Sequence, residues 1–328
     1  MTLNNPSRPS FVGGYRYNRL GAWLRQRFGK RVQKVTIRAG FGCPNRDGRI
    51  NTGGCIFCSP YSLIPTGADP RQSISEQIHS GLEMARRRFK TDSAIAYFQD
   101  GTATDAPILR LRQLYTSAIN HPEVLALSIG TRPDWVPDDV LDLLAELNRK
   151  KPVWLELGLQ VADDEMLEFL NRGHTTATFV DAVKRAHARG LEVITHVILD
   201  IPGETPEHRS ATAKCLNDNG VEGVKIHNLH VLKETALADL FHEGKFLPDS
   251  IEGYADRVVD FLEQLNPGIV IHRISGQGPE HLMLAPDWSR DKKRIIGTIE
   301  AVMRQRDSWQ GKKSSCPQPA GMLRSANP

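Results

Sequence analysis

Through the middle of the chain, short apolar runs alternate with longer amphipathic ones. Residues 34–38 (KVTIR), 94–98 (AIAYF), 124–129 (VLALSI), 153–157 (VWLEL), 192–199 (EVITHVIL), 223–226 (GVKI) and 269–271 (IVI) read as strands. Between them, residues 73–90, 136–150, 178–189 and 206–219 read as helices. The first opens on Ser73-x-x-Glu76, a capping box that satisfies two backbone N–H groups. Pro137 suits a first helical turn, and Gly190 and Gly220 suit C-terminal caps. Strands alternating with helices of this length predict an α/β chain of parallel βα units. Six or seven successive units favour a full or partial (β/α) barrel over a doubly wound sheet. No other repeat is visible.

The polar, glycine-rich clusters follow the strands instead of preceding them. GFGCPNRDG, QDGTATD, GTRPD, GLQ, DIPGET, HNLH and HRISGQG come after the seven strands in turn. Helix-to-strand connections such as NRKKP and ARG are plainer. In parallel α/β folds the active site lies at the C-terminal ends of the strands. The seven loops are therefore expected to ring one pocket.

Composition narrows the class. The chain has 328 residues, 40% hydrophobic and 24% charged, which suits one large or two ordinary domains with a core that needs no disulfides. No apolar run approaches the ~18–20 residues that cross a bilayer. The start, MTLNNPSRPS, lacks the apolar centre of a signal peptide. A cytoplasmic protein with no membrane partner is expected. There thiols stay reduced, so clustered cysteines point to metal or redox chemistry. Residues 1–14 are expected to be flexible, and 310–328 to form a disordered tail.

The net charge of +4 is unevenly spread. Residues 1–46 hold ten Lys or Arg and no acidic residue, and 288–328 hold nine basic against three acidic, so the middle is strongly acidic. Basic ends suit a polyanionic partner meeting the basic leader that runs into Cys43, or solvated helix faces alone.

Cys43, Cys55 and Cys58 lie directly after the first strand, spaced C-x11-C-x2-C. Gly53 and Gly54 would permit the tight turn that brings a C-x2-C pair together. Three thiolates could hold three irons of a 4Fe–4S cluster and leave the fourth open. A structural zinc site wants four ligands, usually from paired motifs, and the nearest downstream histidine, His79, falls on a predicted helix. A thioredoxin-like pair would leave Cys43 unexplained. Cys215, inside a predicted helix, reads as a small core residue, and Cys316 as a free thiol in the tail.

At these residues the sequence resembles the radical S-adenosylmethionine (SAM) enzymes, and among them the bacterial YhcC-like family. The likeness is carried by FGKRVQKVTIRAGFGCPNRDGRINTGGCIFC, AYFQDGTATDAP, GTRPDWVPDDVLDLL, VWLELGLQ, LNRGHT, HVILDIPGET, VKIHNLHVLKET and HRISGQG, across residues 15–286. It implies a partial (β/α)6 barrel of the TIM type, with a radical SAM core over 15–222 and the last barrel strand plus a short C-terminal extension over 223–309. Most radical SAM enzymes place three residues between the first two cysteines. The YhcC-like family and the Elongator catalytic subunit use longer spacings, as here.

The resemblance also implies roles. Cys43, Cys55 and Cys58 would ligate a 4Fe–4S cluster, and SAM would chelate the open iron. Phe57 would lie beside the adenine. The 99–104 loop, with Gln99, Thr102 and Thr104, matches the segment that accepts the methionine amino group, reading QDGT in place of GGEP. Gln160 and Arg172 match ribose and carboxylate contacts of the coproporphyrinogen dehydrogenase branch, and an arginine suits a carboxylate through bidentate bonds. His196 is a further candidate SAM contact. Asp200 stands where that branch has glycine, and Gly130 where it has glutamate. The implied chemistry is one-electron: the reduced cluster cleaves SAM to methionine and a 5′-deoxyadenosyl radical, which takes a hydrogen atom from the substrate. An electron donor such as flavodoxin or ferredoxin would be needed.

Substrate chemistry would come from the loops after strands six and seven. Lys225, His227 and His230 are the candidate catalytic residues, with Lys233, His272 and Arg273 nearby. Together they suggest a small polar or anionic substrate. Two alternatives stay open. Residues 223–286 resemble the extension shared with the Elongator catalytic subunit, which acts on tRNA, so an RNA substrate is one. A non-enzymatic zinc-binding module is the other.

Overall fold

Seven parallel strands form one curled sheet in the computed structural model, which describes residues 9–59 and 69–314. In chain order the strands are β1 (Gln33–Ile37), β2 (Ala94–Phe98), β3 (Val124–Thr131), β4 (Val153–Gln160), β5 (Glu192–Leu199), β6 (Gly223–Asn228), β7 (Val231–Leu232), β8 (Val270–Arg273) and β9 (Met283–Ala285). The large sheet runs β1-β2-β3-β4-β5-β6-β8, and β7 and β9 pair antiparallel as a separate ribbon. The helices are α1 (Leu20–Phe28), α2 (Ile74–Phe89), α3 (Ile108–Ile119), α4 (Asp138–Asn148), α5 (Asp164–Phe169), α6 (Thr176–His187), α7 (Pro206–Asp218), α8 (Ala236–His242), α9 (Ile251–Gln264) and α10 (Lys292–Gln305). The expected partial barrel is present, with seven strands in its sheet instead of six. Among the described residues no helix is long and apolar enough to cross a membrane.

All seven strand candidates are strands, because a central parallel strand must bury both faces and so reads as an unbroken apolar run. β4 is buried at every position. β3, β4, β6 and β8 continue beyond their apolar runs, and Thr131, Gln160, His227, Asn228 and Arg273 from those extensions face the pocket. The capping box holds: the Glu76 N–H donates to Ser73 Oγ at 3.3 Å and the Ser73 N–H to Glu76 Oε2 at 2.7 Å. Pro137 is the N-cap of α4, one place before the first turn expected for it. α3 escaped notice because it opens ILRLR, an alternation that mimics a strand.

Side chains pointing into the half-barrel stack in layers. At the N-terminal ends of the strands, Ile95, Ala126, Trp154 and Ile194 pack with Leu24 of α1 and Val32. The His272 ring stands edge-on to Trp154, with 5.7 Å between centroids. α1 thus seals the end of the barrel opposite the strand C-termini. Arg27 on α1 forms an ion pair with Glu192 at 2.7 Å on this sealed end. The leader's other end stays beside the cysteines, with Arg46 Nη2 donating to the Cys58 carbonyl at 2.5 Å. The leader's helical part lies at the far end, because its apolar face is needed to close the barrel floor.

The polar segment from residue 310 is not loose at its start. Gln310 is fully buried. Its Oε1 accepts from the Asn18 N–H at 2.9 Å, and its Nε2 donates to the carbonyls of Asn266 at 2.8 Å and Ile269 at 2.9 Å. One amide therefore satisfies three backbone groups that no strand or helix pairs. Within the leader expected to be flexible, Phe11 is buried. Residues 1–8, 60–68 and 315–328, with Cys316, lie outside the described residues.

Gln310→Ala would strand the Asn18 N–H and the Ile269 carbonyl, at roughly 1–3 kcal/mol for each that stays dry, while the Asn266 carbonyl keeps the Ile269 N–H. A loss of at least about 2 kcal/mol is expected, read from the shift in denaturant midpoint at constant slope.

Candidate functional site

The chain leaves β1 into a loop that hangs on the neighbouring strand. Asp100, just past β2, accepts on Oδ2 from the backbone N–H of Ala39 at 3.0 Å and of Gly40 at 2.7 Å. The Thr102 N–H donates to the Gly42 carbonyl at 2.8 Å. Between them only glycine fits, because a Cβ at Gly101 would lie 2.3 Å from the Gly42 oxygen. Cys43 follows at once. The other two cysteines are braced by the segment after α5. The Ile56 N–H donates to the Leu170 carbonyl at 3.2 Å, and Asn171 Nδ2 to the Gly54 carbonyl at 2.8 Å. Gly53 and Gly54 both take positive φ, 80° and 85°, as the turn before Cys55 requires. Cys58 then closes back on Cys55, N–H to carbonyl, at 2.9 Å.

The three thiols line one wall of a single cavity of about 290 Å³. Burial pushes the Cys58 thiol up, and the neighbouring Cys55 adds to that. Arg172 Nη1 lies 3.2 Å from Cys55 Sγ and Asn45 Nδ2 lies 3.5 Å from it. Donors aimed at sulfur suit a thiolate that ligates metal. Among the described residues no three His, Cys, Asp or Glu side chains converge so as to hold one metal ion. Three thiols on a cavity wall without a fourth fit a cluster that keeps one iron for another ligand.

Phe57, Gln99, Thr102, Gln160, Arg172 and His196 line the same cavity. Thr104 does not. Its hydroxyl donates to the Trp135 carbonyl and lies against Thr131 Oγ1, both at 2.5 Å, and it borders a separate surface cleft. Gln160 holds φ at +81°, a strain of about 1–3 kcal/mol kept at the cavity wall. Asp200 also has positive φ, which fits a position where glycine is usual. Its carboxylate turns away to the Asp249 N–H at 3.0 Å and Arg257 Nη1 at 3.1 Å. Arg172 already donates to Cys55 and to the Gly158 carbonyl, which leaves Nε without a partner. Arg132 was missed in the sequence, although GTRPD marked its loop. It lines the cavity, grips Asp134, and has an unpartnered Nη1.

Below the cavity lies a knot of charge around Glu156, which is fully buried on β4. Lys34 from β1 donates to its Oε1 at 2.6 Å, and Ser128 from β3 donates to the same oxygen. Lys225 from β6 and His196 from β5, at 2.9 Å, hold Oε2. Lys225 Nζ also donates to Tyr97 Oη at 2.9 Å. Burial alone would raise the Glu156 carboxyl, but Lys225, Lys34 and His196 hold it well below its ordinary range. Burial, with Lys225 nearby, draws His196 down to about 4. Burial and Arg273 do the same to His230, and hold His227 well below its usual value.

Lys225 thus underlies the cavity floor, while His227, His230 and Arg273 line the wall. Lys233 points to solvent and His272 belongs to the sealed end. Lys34, Tyr97, Ser128 and Glu156 were not singled out in the sequence. Their signal was present: single polar residues at inward positions of KVTIR, AIAYF and VWLEL.

Comparison with known proteins agrees with this architecture. Residues 39–216 match the family model of the radical SAM superfamily, and 221–305 match the radical SAM C-terminal domain. YtqA of Bacillus subtilis, itself uncharacterized, is 38% identical over 95% of this chain and 97% of its own length. YhcC of Escherichia coli K12 is 37% identical over 86% of this chain and 90% of its own. The solved archaeal Elp3 of Methanocaldococcus infernus, lacking residues 1–46, superposes with a TM-score of 0.65 at 19% identity. That match covers 85% of this chain and 64% of the Elp3 chain.

Two outcomes are expected. Asp100→Asn should weaken retention of iron against a chelator about tenfold or more, as loss of a group that orients a ligand loop does. Stability should also be acid-sensitive. His196 and His230 stay neutral in the fold down to about 4, but once unfolded they take up protons below about 6.5. The unfolded chain binds more protons in that window, so stability is complete above it and falls as pH drops through it. Each histidine contributes up to about 1.4 kcal/mol per pH unit. Denaturant melts across the window should show the slope, and His230→Gln should make it shallower.

Proposed function

Because the chain belongs to the radical SAM superfamily, among the YhcC-like relatives, we propose that it is a radical SAM enzyme acting on a small polar or anionic substrate. Superfamily members use a 4Fe–4S cluster and SAM. The observation that carries the reading is that three thiols and the strand-end loops line one cavity above a buried charge knot. Cys43, Cys55 and Cys58 would hold the cluster. Phe57, Gln99, Thr102, Gln160, Arg172 and His196 would contact SAM. The unpartnered Arg172 Nε and Arg132 Nη1 suit its carboxylate. When bound, the cluster and SAM supply one-electron cleavage to a 5′-deoxyadenosyl radical that abstracts hydrogen from the substrate.

The chain's own residues do the rest. α1 and the apolar floor close one end of the barrel, so solvent enters only from the loop end. Glu156 fixes His196 in one orientation by accepting from its Nε2–H. His227 stacks on His196 with 5.3 Å between centroids, and both stay neutral at physiological pH. A neutral imidazole can donate or accept a proton at the substrate without adding charge. Lys225 is pinned by Glu156 and Tyr97, so it positions the floor. A one-electron donor such as flavodoxin or ferredoxin and a reducing cytoplasm complete the requirements.

Anaerobically prepared wild-type protein should be brown, carry about four irons per chain, and release 5′-deoxyadenosine from SAM with dithionite. Cys43→Ala should lose both properties while keeping its fold by circular dichroism. Full iron content and SAM cleavage in that variant would sink the assignment. Fractionated cell extract should raise 5′-deoxyadenosine release through its small-molecule fraction. Stimulation by the tRNA fraction alone would favour the RNA reading.

A further inference from the structure

We propose that Arg273, His227 and His230 form a subsite for a terminal oxyanion of the substrate, a carboxylate or a phosphate. The inference rests on the function proposed above, since it places that group in the same cavity.

Three observations carry it. First, donors stand there unused. Buried His227 Nε2 and His230 Nε2 have no hydrogen-bond partner. Among the described residues no hydrogen bond or ion pair engages Arg273, which lines the cavity. Buried polar atoms without partners are costly, and protein interiors seldom keep them without a ligand or a rearranged neighbour to meet them. Asn228 sets the direction of one. Its Oδ1 accepts from the Gly276 N–H at 2.8 Å, which turns its Nδ2 toward His230 Nδ1 at 3.5 Å. His230 Nδ1 is thereby the acceptor, and the proton sits on Nε2 as a donor.

Second, there is a cradle. A side chain at Gly276 would place its Cβ 3.1 Å from His230 Nε2 and 3.2 Å from His227 Nδ1. The space that a side chain would fill is therefore bordered by both imidazoles. A ligand atom beside that glycine meets His230 through Nε2–H and His227 through Nδ1, which donates when the His227 proton sits there.

Third, the charge is incomplete. Inside the barrel Glu156 faces two lysines, Lys34 and Lys225, and both its oxygens are occupied. Arg273 is a further cation with no carboxylate of its own. The partner that this guanidinium lacks is an anion. Neutral imidazoles beside one guanidinium offer N–H donors without further charge, a set that suits one carboxylate or phosphate. Both Nε2 atoms are buried, a depth that suits the end of a small molecule better than an internal phosphodiester with chain on both sides.

The test is thermal denaturation of the cluster-loaded, SAM-bound protein titrated with inorganic phosphate or acetate, with chloride at matched ionic strength as control. A saturable rise in Tm with phosphate or acetate, absent with chloride, is expected. The stronger of the two identifies the source of the oxyanion. Arg273→Gln should weaken the apparent affinity at least about tenfold, and Arg273→Lys should recover it to within about threefold, because much of the attraction is charge. Three results would each overturn the subsite. One is an equal response to chloride. Another is an unchanged affinity in Arg273→Gln. The third is displacement of the anion by an RNA oligonucleotide with hydroxyl ends. Iron content and 5′-deoxyadenosine release are measured on the same wild-type sample. A sample that lacks both yet still responds through Arg273 overturns the radical SAM function and leaves the subsite standing.

Discussion

Everything in this half-barrel turns on one buried carboxylate. Glu156 is held at once from β1, β3, β5 and β6. In a flat sheet β1 and β6 would stand five strand spacings apart, about 24 Å, beyond the reach of two lysines toward a common oxygen pair. The contacts exist because the sheet curls. They also make curling the arrangement in which each of these charges finds a partner. Buried ion pairs are weak evidence for net stability, since desolvation offsets most of their attraction. What this one does is penalise any arrangement of the strands that leaves a lysine or the glutamate alone in the interior.

The knot also divides the barrel into chemically distinct floors. Below it, Trp154, Ile95, Ile194 and α1 form an apolar plug. Above it, Arg132, Arg172 and Arg273 face the cavity beside three histidines. Burial among cations keeps those histidines neutral. A donor-rich, acid-averse cavity selects ligands that carry acceptors, which is a property of the wall before any substrate is known.

Much of this was legible in the sequence because it obeys local rules. Parallel strands buried on both faces announce themselves as apolar runs, the capping box at Ser73 needs only three residues, and the cysteine loop is marked by its spacing and its paired glycines. What escaped depends on distance in three dimensions. Lys34 and Glu156 are 122 positions apart, and neither strand alone says that they meet. Thr104 was grouped with its loop, but the chain turns its hydroxyl to Trp135. Gln310 looked like the start of a polar tail, because composition cannot reveal that one amide will close three backbone hydrogen bonds in the core. The place of α1 was hidden by its charge, although Arg27 lies over Trp23 of α1 itself and pairs with Glu192 across the sealed end.

The two ends of the cysteine loop are fastened to different parts of the molecule. Its entry is tied to Asp100 and Thr102 beyond β2, and its exit to Leu170 and Asn171 after α5. Between Cys43 and Cys55, Asn45 and Arg46 add ties to Asn171 and Cys58, and residues 47–52 carry little of the burden of placing either thiol. Lengthening a loop whose ends are already fixed is cheap, about 0.6 kcal/mol for each doubling. The eleven-residue interval, where most radical SAM enzymes have three, is then a detour between two fixed points. Its length is free to drift, and its middle is free to acquire contacts of its own.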